Sequence, residues 1–104
     1  MTHTLDDRTE TLRVSLERQF QEHAEQLTEL TLHSRQRDHG GHDPDTLRQL
    51  IEAARQGVAD TAQALRRMSE GTYGVCEGCG GEIPTARLEI LPWACFCVPC
   101  QHRR

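Results

Sequence analysis

At 104 residues the chain has the length of one small domain, and only 36% of it is hydrophobic, with four aromatic side chains in all; this is too little apolar material for the core of a large enzyme. The formal net charge is −4 and all 12 basic residues are arginine, which disfavours a broad basic surface for nucleic-acid phosphates. No apolar run nears the roughly 20 residues that span a bilayer, and the opening MTHTLDDRTE lacks the basic start and apolar stretch of a secretion signal. A soluble cytoplasmic protein is therefore expected, in which cysteines stay reduced and paired Cys-x-x-Cys spacings favour a metal over disulfides.

The first predicted element is a long helix. Leu5, Thr9, Leu12, Leu16, Phe20, His23, Leu27, Leu30 and Ser34 are spaced by threes and fours, a heptad stripe with one stutter after Leu16 where the seam should locally unwind. The stretch RDHGGHDPDT then interrupts the period. Within it Asp43 is placed as an N-cap and Pro44 as the first helical residue, where a missing N–H is harmless. A second helix follows, with a seam of Leu47, Ile51, Ala54, Val58, Thr61, Leu65 and Met68 in unbroken four-three alternation. Two narrow seams joined by a short polar link predict an antiparallel hairpin in which each helix covers the other. Gly57 falls inside the second helix at a cost of roughly 1 kcal/mol relative to alanine, for which close helix approach is the only reason the sequence offers.

The loop contributes Asp38, Asp43 and Asp45 as candidate functional acids. Asp43 has a capping duty first, and Asp45, in the first helical turn, also complements the helix dipole. His39 and His42 flank two glycines and are candidates for a second metal beside the aspartates, although a solvated polar turn is the preferred reading. Twelve of the 16 acidic residues precede residue 66, so the hairpin is the acidic half of the chain. Such an arm suits a positively lined channel better than DNA.

Gly71 and Gly74 close the second helix. Beyond them Cys76, Cys79, Cys97 and Cys100 form two Cys-x-x-Cys pairs separated by 17 residues, the spacing of a closed tetrahedral zinc site with no position left for a substrate water. Iron or a redox dithiol is the lesser alternative. Cys95 stands outside this symmetric set and reads as a small, partly buried thiol; a redox reserve that pairs with a released ligand is the sharper possibility. The expected fold is mainly α, an antiparallel two-helix coiled-coil hairpin over residues 1–70, with its tip at about 38–46, followed by a small four-cysteine zinc finger over 71–104.

The segment GTYGVCEGCGGEIPTARLEILPWACFCVPC resembles the zinc finger of the DksA/TraR family. The residues that carry the resemblance are Tyr73, Gly74, Cys76, Cys79, Gly80, Ile83, Arg87, Leu88, Pro92, Cys97 and Cys100. It implies one structural Zn2+ and a regulator that binds RNA polymerase, inserting its hairpin into the secondary channel so that tip acids, here Asp38, Asp43 and Asp45, approach the active site. Guanosine tetraphosphate binding is not carried over, because the sequence ends four residues after Cys100. A monomer with no sequence-specific DNA contact, no membrane association and no catalysis is expected, since no nucleophile–base pair stands out. The alternatives are a zinc-stabilised coiled-coil interaction module and a thiol redox switch.

Overall fold

The structure, a computed structural model, describes the backbone of residues 3–103 and the side chains of residues 8–103. The side chain of Leu5, first in the predicted seam, lies outside the described residues. Two helices dominate, α1 over His3–Ser34 and α2 over Pro44–Glu70. Their 32 and 27 residues correspond to about 48 and 40 Å at about 1.5 Å per residue, and the molecule is accordingly elongated at 56 × 30 × 21 Å. Two short helices, α3 over Thr85–Ile90 and α4 over Val98–His102, belong to the finger. An isolated antiparallel bridge joins Val75 to Glu82, and no named strand occurs among the described residues.

Both ends of α2 follow their local chemistry. The Asp43 carboxylate accepts from the N–H groups of Asp45 and Thr46 at 3.1 and 3.2 Å, satisfying two of the four amides a helix start leaves open. At the other end Gly71 takes a left-handed φ of 81° and its N–H returns to the carbonyls of Arg67 and Met68, while the Thr72 N–H reaches the Arg67 carbonyl at 2.9 Å. This closure needs a residue without a Cβ penalty.

The helices run antiparallel. Leu30 packs with Leu47 and Ala54 near the tip, whereas Leu12 and Met68 meet at the opposite end. Midway, Leu16 is fully buried and Thr61 is 1% exposed, with the threonine hydroxyl donating to the Gly57 carbonyl at 2.7 Å. Thr9, Phe20, His23, Leu27, Ile51, Val58, Leu65 and Met68 are only half-buried, because two helices alone cannot enclose every seam position. Ser34, at the end of α1, is exposed and returns its hydroxyl to the Thr31 carbonyl.

Two features lie outside the predicted pattern. Ala64 and Arg67 are buried although they flank the seam, the arginine because the turn after α2 and Glu77 fold over it. Gly57 has a definite reason: a Cβ built there would stand 2.6 Å from the His23 ring. The imidazole occupies the space of a side chain on the facing helix, so glycine is required by contact and not by backbone conformation.

Candidate metal centre and hairpin tip

The first Cys-x-x-Cys pair sits on a turn whose amides face sulfur. Gly78 N–H donates to Cys76 Sγ at 3.3 Å, Gly81 N–H to Cys79 Sγ at 3.4 Å, and Cys97 N–H crosses from the second pair to Cys76 Sγ at 3.3 Å. The Cys76 N–H closes the first knuckle on Gly81 O at 2.7 Å, and the Glu77 N–H ties that knuckle to the segment before the second pair by donating to Cys95 O at 2.8 Å. Around them the motif residues divide the work. Ile83 and Leu88 are buried with Cys76, Cys100 and Leu12, and Met68, Tyr73, Ala94 and Phe96 pack against this cluster; each buried aliphatic side chain contributes about 1.5–3 kcal/mol. The Tyr73 hydroxyl donates to the Pro92 carbonyl at 2.8 Å, and burial pushes this phenol up to about 12. Arg87 Nε donates to the Phe96 carbonyl at 3.1 Å, fixing the strand of chain that leads into Cys97.

The result gathers the sulfurs of Cys76, Cys79, Cys97 and Cys100 within 4.8 Å of one another. The Cys79 and Cys97 sulfurs are 3.8 Å apart, which matches the about 3.8 Å edge of a tetrahedron of sulfurs at about 2.3 Å from zinc. The donor set therefore fits Zn2+, and four thiolates close its coordination sphere. The cross-strand N–H of Cys97, helped by those of Cys79 and Gly78, brings the Cys76 thiol down to about 6 against opposing burial, so one thiolate is stabilised by the fold itself. At Cys100 an Arg103 hydrogen bond at 3.3 Å pulls downward, yet the three neighbouring thiols and burial prevail and push it up to about 12. Four thiols this close resist joint ionisation until a cation offsets the charge. Cys95, half-buried, is not among the gathered four.

Sequence reasoning missed the joint between finger and hairpin. Arg67, which no motif or seam singles out, is only 7% exposed. Its guanidinium donates to the carbonyl of Thr72 at 2.9 Å and to that of Val75, and it faces Glu77 at 3.4 Å. Gln63 also donates to Glu77, at 3.0 Å. The signal was present but indirect: an arginine in the last turn, on the flank toward which the chain folds back after Gly71.

The tip has a different character. Asp38, Asp43 and Asp45 all lie there and all are exposed, but each carboxylate has local work. Asp38 accepts from Gly40 N–H at 3.1 Å, Asp43 caps α2, and Asp45 pairs with Arg48 at 2.9 Å. Arg35 and Arg37 are exposed beside them, so three arginines balance three aspartates between residues 35 and 48. Locally, the tip is not acidic.

A helical hairpin docked on a four-cysteine finger is the class this geometry defines. Residues 71–104 match the family model described as the prokaryotic dksA/traR C4-type zinc finger. Among curated proteins, the chain is 46% identical over 50 residues to general stress protein 16O of Bacillus subtilis, an alignment covering 48% of this chain and 31% of that protein. It is 45% identical over 49 residues to the RNA polymerase-binding transcription factor DksA of Caulobacter vibrioides, covering 47% of this chain and 34% of that one. An uncharacterized Aquifex aeolicus protein is 51% identical over 37 residues, 36% of this chain and 26% of the relative. These matches thus span about a quarter to a third of the relatives' length. In fold, the chain is similar to transcription factor DksA2 from Pseudomonas aeruginosa, with a TM-score of 0.76 and 24% identity over 98% of this chain and 86% of that one. The finger is of the DksA/TraR family, it carries one structural Zn2+, and the whole chain has the fold of a DksA-type protein. No helix among the described residues is long and apolar enough to cross a membrane.

Proposed function

We propose that this protein regulates transcription by binding RNA polymerase, as a monomer in the cytoplasm, without chemistry of its own and without sequence-specific DNA contact. In this reading residues 1–70 form the working arm, which enters the secondary channel tip first. Residues 71–104 form the docking finger, with Cys76, Cys79, Cys97 and Cys100 as the zinc ligands. The observation that carries it is the coincidence of two likenesses. The finger is similar in sequence to proteins named for RNA polymerase binding, and the whole length, hairpin included, shares a fold with DksA2. Asp38, Asp43 and Asp45 then stand at the end of the arm that meets the enzyme's interior.

The balanced tip charge favours a second reading, in which the hairpin works as an interaction module by occupying space and the aspartates serve loop and helix start alone. One experiment separates the two. Asp43→Ser keeps a capping oxygen and drops the charge, and Asp45→Ala removes a carboxylate whose dipole contribution is only about 0.3–1 kcal/mol. Both variants are expected to co-purify with polymerase as wild type does and to lose the wild-type effect in transcription assays. Variants that regulate like wild type assign the activity to occupancy. Failure of the wild type to bind polymerase overturns the proposal.

A further inference from the structure

Two imidazoles that the hairpin seam does not use meet at the tip. His33, in the last turn of α1, and His42, immediately before the Asp43 cap, have ring centroids 5.5 Å apart with planes inclined at 36°. Both side chains are half-buried. The loop is built over the first of them: a Cβ on Gly40 would stand 2.5 Å from His33 Cγ and 2.7 Å from its Nδ1, and Gly40 itself has a φ of +64°. Beneath this cover, His33 Nδ1 is buried and has no hydrogen-bond partner. Buried polar atoms are satisfied almost without exception, so this nitrogen calls for a water or an ion.

The spacing of the two rings admits an ion shared between them. One nitrogen from each of two imidazoles, bound at about 2.0–2.1 Å to a tetrahedral cation, places the ring centroids about 5 Å apart. The observed separation is close to that. The nearby aspartates are engaged elsewhere, Asp38 with Gly40 N–H, Asp43 with the start of α2 and Asp45 with Arg48. The sequence offered His39 with His42 only as the lesser alternative to a solvated turn, and the ring that meets His42 is that of His33.

We propose that His33 and His42 form a second metal site, separate from the finger, for a first-row divalent cation that prefers imidazole nitrogen. Zn2+, Ni2+ or Cu2+ fits this donor pair, whereas Mg2+ and Ca2+ seek oxygen. Water completes the coordination. The bound ion links the last turn of α1 to the entry of α2 and so closes the tip loop on itself, whatever partner the hairpin engages.

The test uses full-length protein with its finger loaded with zinc, titrated with Ni2+, which binds imidazole without oxidising thiols. Calorimetry is expected to show one Ni2+ bound in addition to the retained zinc. Paramagnetic broadening in amide spectra should centre on residues 33 and 42, and the thermal midpoint should rise with Ni2+ concentration. His33→Gln and His42→Gln should each abolish this binding, and His39→Gln should bind as wild type. Because His42 lies in the loop, its variant keeps both helices and guards against misreading a folding defect in His33→Gln. Absence of Ni2+ beyond the zinc, displacement of the zinc, broadening centred elsewhere, retention of binding in His42→Gln, or its loss in His39→Gln overturns the proposal.

Discussion

The hairpin holds its helices with single side chains spaced along two long rods, while the finger concentrates its contacts around four sulfurs. In the hairpin, burial falls on Leu12, Leu16, Leu30, Leu47, Ala54 and Thr61, with half-exposed positions between them. In the finger, backbone amides, the Tyr73–Pro92 and Arg87–Phe96 bonds and a few buried side chains converge within a span of about thirty residues. A seam of this kind loses stability in increments as positions are altered. A site closed by one ion is expected to fail as a unit, because binding free energy of that ion is folding free energy. The two regions meet where Leu12 and Met68 join the finger's cluster and where Arg67 donates to the turn after α2.

The comparison breaks most visibly at the metal. Cys100→Ser is expected to release zinc and unfold the finger, a loss on the scale of the about 10–16 kcal/mol that structural zinc contributes in small fingers. Far-UV circular dichroism should nevertheless keep most of its helical signal, since α3 and α4 supply only 6 and 5 residues. Cys95→Ser should retain full zinc by metal analysis. If Cys100→Ser abolishes the helical signal as well, the hairpin does not stand without the finger and the contrast between the regions collapses.

A smaller effect is expected at the middle of the seam. Leu16 has no exposed surface, and Leu16→Asp would place a carboxylate there without a partner, costing several kcal/mol, roughly 3–5. Denaturant titration of the zinc-loaded protein should show this loss while zinc stays bound at low denaturant. Light scattering should report a monomer for the wild type; a dimer would mean that the seams pair between chains.

The smallest effect is the most specific. Glycine to alanine inside a helix ordinarily stabilises by roughly 1 kcal/mol, but at Gly57 the new Cβ would meet the His23 ring at 2.6 Å. Gly57→Ala should therefore destabilise by about 1–3 kcal/mol, as overpacking does. Adding His23→Ala should restore much of it, with a coupling measurable in a double-mutant cycle. Additive effects would show that the ring simply moves aside.

Much of this protein is written locally. Heptad spacing specified two helices and the faces they turn to each other, Asp43-Pro44 and Gly71 specified where the second begins and ends, and two Cys-x-x-Cys pairs specified the metal. Each of these rests on contacts between near neighbours or on a repeating period, which a sequence displays directly. The remaining features depend on residues distant in the chain. That His23 stands on Gly57, that Arg67 is buried against the turn beyond α2, and that His42 faces His33 across the loop were decided by how the helices and the finger pack. Packing sets which side chains share a small volume, and no spacing along the chain encodes that volume.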